Sequence, residues 1–274
     1  MIASRTPPEW KPMLREAGIA AQSLCAGLTA LRKANYAEAS LYNHAFFCLS
    51  VGFERLMKIT MLIERRAVGG DPPLNSEFKH YRHDLLLLFS HIEQLRENSK
   101  DELRDELPDR ELAMAALSVL NDFAQKTRYY NLDVLTKNST VQDRRDPIEA
   151  WAQDVGRRIL ETKYTARRAA QDERNAALVG AMIEDFSVVR HFAEDGSDII
   201  SVYDGALRTG QAEIVQREGV VICAALVRHI VHVLWIVNRM AMAAGARDVP
   251  HVYEFFGLFL NSDRLFRSKR RLQI

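Results

Sequence analysis

The chain has 274 residues, 47% of them hydrophobic and 27% charged, a globular composition with enough apolar content for one large core or two small ones. Lysine plus arginine number 37 against 36 aspartates and glutamates. That balance excludes a global polyanion-binding charge, so any contact with nucleic acid has to be a local patch.

The first predicted helix runs from about Pro12 to Lys33, with Leu14, Ile19, Leu24, Leu28 and Leu31 as its apolar positions. The second, about Ala37 to Arg66, contains LYNHAFFCLSVGFERLMKITMLIERR and is apolar on most faces, which predicts a central place in a bundle. The stretch VGGDPPLN breaks the chain with Gly69, Gly70, Pro72 and Pro73. A third helix starts near HYRHD, where Asp84 is a candidate cap, and continues through LLLLFSHIEQL. The charged connection ENSKDELRDELPDR reads as partly helical, and a fourth helix follows Pro108 with Asp109 as its cap. That helix carries Leu112, Ala116, Val119, Leu120, Phe123 and Ala124 on one stripe and ends at TRYYNLD, Thr127 to Asp133.

TKNSTVQDRRDP is the best internal boundary, dividing a helical unit over 1–140 from a second helical region over 141–274 that either stands alone or packs with the first. Beyond it, IEAWAQDVGRRILETKYTARRAAQDERNAALVGAMIEDF predicts one long or two shorter helices, and AEDGSD a turn. The final pair is a helix from about Gly210 to Ala244, either continuous or interrupted near Gly219, and the segment HVYEFFGLFLNSDRLF. A basic tail, RSKRRLQI, ends the sequence. No alternating run of β-branched residues, internal repeat or low-complexity tract stands out. The expected fold class is all-α, a multi-helix bundle.

Gly219 to Gly245 is long enough to cross a bilayer, but Arg228, His229 and His232 sit inside it, where charge is costly. A buried helix is expected instead, with no membrane contact. Cys25, Cys48 and Cys223 are odd in number, far apart and in apolar helical contexts, which predicts buried free thiols in a reducing compartment. The opening MIASRTPPEWKPMLREAG lacks the apolar core of a secretory signal, so a cytoplasmic location is expected.

Three constellations carry chemistry. His80, His83, Asp84 and His91 lie on or near one helical stripe, but their spacing is not that of a metal site, and a capped helix start explains them. No metal or cofactor is expected. Arg228 and His232 are four residues apart and share a helix face, so they form either a satisfied internal network or a phosphodiester-cleaving pair. The doublets Arg144–Arg145, Arg157–Arg158 and Arg167–Arg168 are interspersed with acids and read as a solvated, ion-paired surface.

NHAFFCLSVGFERLMKITMLIE, with Glu54 and Lys58 in a Glu-x-x-x-Lys pair, resembles the second helix of the HEPN superfamily (higher-eukaryote and prokaryote nucleotide-binding domains). The loop with Pro72–Pro73, the helix start His83–Asp84–Leu85 and a helix ending in Arg128–Tyr129 come in the order and spacing of that family, over roughly residues 10–140. The resemblance implies a four- to five-helix bundle that dimerises. It also implies either a metal-independent endoribonuclease or a non-catalytic protein that binds a partner, such as an antitoxin, or a nucleotide or RNA, in a defence or toxin–antitoxin setting.

The ribonucleases of the family place a His some four to six residues after the Arg. Here Asp133 stands in that position after Arg128, and a carboxylate is a poor general acid at neutral pH. The expectation is therefore a non-catalytic, associating protein, with a divergent ribonuclease and a purely structural helical protein as the alternatives. Arg128, Tyr129 and His83 are its candidate ligand contacts, and Arg128, Arg228 and His232 are the catalytic candidates if it is a ribonuclease. Arg128 and Asp133 are expected to end a helix, with Tyr129 and Tyr130 packing under the bundle.

Overall fold

A computed structural model describes residues 7–70, 75–98 and 107–273. Their elements are almost all helical: α1 Trp10–Leu31, α2 Ser40–Ala67, α3 Asn75–Tyr81, α4 Leu85–Asn98, α5 Arg110–Asp122, α6 Tyr130–Leu135, α7 Pro147–Trp151, α8 Arg157–Lys163, α9 Ala166–Ile183, α10 Val202–Ala243 and α11 Asp263–Ser268. The all-α bundle expected from periodicity is what forms. The Pro72–Pro73 loop and most of the charged connection before Pro108 lie outside the described residues.

α1 and α2 form an antiparallel pair whose contact is set by two glycines. A Cβ on Gly27 would lie 2.6 Å from Leu49 Cγ, and one on Gly52 would lie 2.7 Å from Leu24 Cγ. Each helix thus presses a leucine into the bare backbone of the other, an approach that no larger residue permits. α2 buries Ala45, Phe46, Leu49, Phe53, Leu56 and Met57, while Phe47 and His44 point outward. It is central to the bundle on one side only.

α10 is the longest element and completes the core. Its most apolar window is hydrophobic enough to cross a bilayer, yet 78% of that window is buried inside the fold. Of the two readings at Gly219, the uninterrupted helix is what forms. A helical glycine costs only about 1 kcal/mol relative to alanine, and here the missing side chain makes room for Trp151, whose Cζ2 lies 3.0 Å from where a Cβ would be. The helix also starts at Val202 rather than Gly210, capped by the Ser201 hydroxyl. One continuous core joins residues from both sides of position 140, from Met13 to Leu272.

Two further departures are local. The turn at AEDGSD closes a small antiparallel hairpin, His191–Phe192 against Asp198–Ile199, with Gly196 at φ 82°. A pair of two-residue strands is too short to leave an alternating signature. The segment HVYEFFGLFL is a 3₁₀ helix, Val252–Leu260, rather than an α-helix. Cys25 and Cys223 are buried and Cys48 is half-buried, all free. Burial pushes the thiols of Cys25 and Cys223 up to about 12, so neither is a thiolate nucleophile near neutrality.

Candidate functional site

The outward face of α2 carries Asn43, His44, Phe47, Val51, Glu54, Arg55 and Lys58, spaced three or four apart as one helical stripe demands. Two segments close over this stripe. The first is the turn before α4. Arg82 there has a left-handed φ of 41°, and its carbonyl accepts a bond from Lys58 Nζ at 2.9 Å. His83 Nδ1 lies 2.9 Å from Glu54 Oε2, and Glu54 also holds Lys58 at 2.6 Å. Asp84 Oδ1 caps α4 by accepting from Leu87 N at 2.8 Å. Buried Asn121 on α5 accepts from Leu85 N at 2.9 Å. The Glu54–Lys58 pair and the His83–Asp84–Leu85 turn are therefore one hydrogen-bonded unit.

The second segment comes after α5. Its helix widens into a π turn, Phe123–Thr127, just before Arg128. One residue inserted into a helix rotates every later side chain by about 100° around the axis, which brings Arg128 over the α2 stripe. Its Cζ lies 5.2 Å from the Phe47 ring centroid, in cation–π range. Its Nε is buried without an acceptor. Among the described residues Arg128 has no carboxylate or carbonyl partner.

Arg128 and Phe47 line both of two neighbouring clefts. One, of 430 Å³, is lined by Asn43, His44, Tyr129, Tyr130, Asn131 and Leu132 among others. The other, of 380 Å³, includes Glu54, Arg55, Lys58 and His83. Of the three candidate ligand residues, Arg128 lines both clefts, Tyr129 only the first and His83 only the second. Tyr129 does not pack under the bundle: it is 65% exposed, turned out by the same π turn, and Tyr130 is half-buried.

Asp133 lines neither cleft. It accepts from Asn138 Nδ2 at 3.0 Å and pairs with Arg144 at 3.1 Å, which ties α6 to the loop beyond it. Arg228 and His232 line neither cleft as well. The Arg228 guanidinium donates to Phe259 O at 3.1 Å and to Asn261 O and Asp263 Oδ1, both at 2.9 Å. It fastens the C-terminal segment onto α10, and His232 sits half-buried one turn further on. The other two histidines of the cluster meet at Tyr81, away from the α2 stripe. His80 and His91 contact Tyr81 by their rings, and the described residues hold no group of three or more His, Cys, Asp or Glu able to share a metal.

Phe47 escaped the sequence reading, which took α2 as apolar on most faces. The signal was present: an aromatic residue on the one stripe that otherwise carries Asn43, His44, Glu54 and Lys58. The buried network of Glu93 with His229 was also missed, because the two residues are far apart in the chain. No family model matches this chain, and neither the curated proteins nor the solved structures contain a significant match to it.

Proposed function

We propose that this chain is a HEPN-like protein that binds a phosphate-bearing ligand, a nucleotide or RNA, in the clefts around Arg128, and that it acts by association rather than catalysis. The observation that carries this reading is the state of Arg128. Its neighbours Lys58 and Arg55 are neutralised by Glu54 and Glu16, whereas Arg128 has no counter-charge among the described residues and opens onto both clefts. A half-buried guanidinium without a partner is costly unless an anion completes it, and phosphate matches its donor geometry. Phe47 at 46% exposure and Tyr129 at 65% offer flat faces beside it for a base.

The family reading is supported by Glu54, Lys58 and His83 lining one cleft together with Arg128. Association with a second copy or with a protein partner is supported by Leu132, Val134 and Leu135 of α6, exposed at 60%, 46% and 77% beside the cleft.

A second reading is a metal-independent endoribonuclease at the same cleft, and it is favoured by His83. Its imidazole is 60% exposed and oriented by Glu54 on the cleft that Arg128 lines. It would take the acid–base role that Asp133 cannot.

One experiment separates these readings. Fluorescence anisotropy of a labelled RNA at low salt should show binding that Arg128→Ala weakens by roughly 10- to 100-fold, as expected for hydrogen bonds from a charged donor. Unchanged affinity in that variant would sink the Arg128 assignment. The same RNA, recovered after incubation with EDTA, should be intact. Cyclic-phosphate ends that vanish with His83→Ala would instead establish the nuclease.

A further inference from the structure

We infer that the Arg128 clefts are the middle of one groove for a single RNA strand, whose far end is built by the C-terminal tail. This rests on the ligand reading above and names the form of the ligand: an extended strand, not a lone mononucleotide.

Three neighbouring cavities with shared lining residues follow α2. A third cavity, of 660 Å³, lies between α1, the start of α2 and the tail, and is lined by Thr29, Lys33, His44 and Arg271 among others. It shares His44 with the 430 Å³ cleft, which in turn shares Phe47 and Arg128 with the 380 Å³ cleft. From Leu41 to Lys58 the helix rises about 26 Å at 1.5 Å per residue. That suits a strand of about four nucleotides, the low end of single-strand sites.

The tail is held in place rather than draped. Leu272 is 6% exposed, its N–H donates to Thr29 Oγ1 at 3.0 Å, and Arg267 is bound to Glu218 at 3.0 Å. Arg271 is thereby anchored at the groove end beside Lys33.

The charge along the groove is uneven in a useful way. Its acids are occupied: Glu16 by Arg55, Glu54 by Lys58 and His83, and Asp146 by capping the N–H groups of Ile148 and Glu149. Lys33 and Arg271 at one end and Arg128 in the middle have no carboxylate partner among the described residues. Between them stand the exposed rings of Phe47 and Tyr129. Separated cations with flat rings between them fit a backbone with unstacked bases. A mononucleotide would use one station only, and a duplex would offer the rings no free base.

The test is anisotropy with a labelled RNA dinucleotide, tetranucleotide and octanucleotide at about 50 mM salt, where phosphate contacts are strongest. Affinity should rise at least about tenfold from the dinucleotide to the octanucleotide. In the double variant Lys33→Glu/Arg271→Glu the tetranucleotide and the octanucleotide should both weaken about tenfold, toward the level of the dinucleotide, and the salt dependence should shrink by about two phosphate contacts. A dinucleotide that binds as tightly as the octanucleotide, yet still needs Arg128, would overturn the groove and leave the Arg128 site standing. The groove idea is also overturned if a duplex or an oligoglutamate peptide competes as well as the octanucleotide. Absence of RNA binding at every length would remove the ligand reading itself.

Discussion

Replacing Gly52 by valine is expected to lower the stability of the fold by about 3 kcal/mol, at the upper end of overpacking costs. At this crossing even a methyl group has no room. The Cβ position on Gly52 lies 3.0 Å from the backbone nitrogen of Leu24 as well as 2.7 Å from its Cγ. Gly27 faces Leu49 in the same way, with 2.9 Å to the backbone nitrogen. A flexible side chain could yield, but two helix backbones cannot separate locally without opening the core around Leu24, Leu28 and Leu49, all fully buried. Urea denaturation monitored by circular dichroism measures the loss. Gly257→Ala is the control, because nothing lies within 4 Å of a Cβ there, and it should change stability by less than about 0.5 kcal/mol. An unchanged midpoint for Gly52→Val would mean that α1 and α2 do not meet as described. Because α2 carries the proposed ligand stripe on its other face, the same variant should also weaken any RNA binding.

Glu93→Ala is expected to cost more, about 3–5 kcal/mol, the usual range for breaking a buried charge network by removing one partner. Glu93 is 8% exposed and joins three helices. Its carboxylate lies 2.6 Å from His229 Nε2 on α10, 2.6 Å from Arg110 on α5 and 3.3 Å from Arg96 on α4. Burial alone would raise its pKa. The hydrogen bonds from His229 and Arg110 outweigh that burial and hold the carboxyl at about 2, against an ordinary 4.5.

That depressed value fixes the sign of the pH dependence. Below its ordinary value the unfolded chain binds a proton that the folded carboxylate refuses, so stability falls as the medium becomes more acid. The contribution, on the order of 3 kcal/mol, is complete above about pH 4.5 and is lost progressively toward pH 2. Denaturation midpoints collected across that window should show the slope in the wild type and a flatter profile in Glu93→Gln, which keeps a hydrogen bond to His229 without the titrating charge. Equal slopes in the two proteins would show that the network does not set the acid limb.

Much of the architecture was legible in the residues. The stripe Leu112–Ala116–Val119–Leu120 marked α5, Asp84 and Asp109 marked two helix starts, and the apolar run after Gly219 marked the buried helix. Each is a local signal with a 3.6-residue period or a cap. Other features were settled by tertiary packing or left no local signature. Gly219 breaks nothing because Trp151 needs its space, and the segment ending at Leu260 winds as 3₁₀ despite an α-like pattern.

The candidate site was legible only in pieces. Arg128, Tyr129 and His83 could be named as residue types in the right order, and Glu54 with Lys58 as a helical pair. Their meeting could not be named, because it depends on a π turn that adds one residue to a helix, on Asn121 reaching back to Leu85, and on Lys58 binding the carbonyl of Arg82. Arg228 and His232 looked equally suited to phosphate chemistry on spacing alone. The structure gives the Arg228 guanidinium to Phe259, Asn261 and Asp263, and leaves Arg128 stacked on Phe47 with no carboxylate or carbonyl partner among the described residues.

The sequence by itself determined the helical class and the identity of the polar groups, because periodicity and residue chemistry are properties of a few neighbouring positions. Tertiary structure alone decided which arginine is spent and which is open. That depends on acceptors brought in from segments more than thirty residues away, and no local pattern records where such partners will lie.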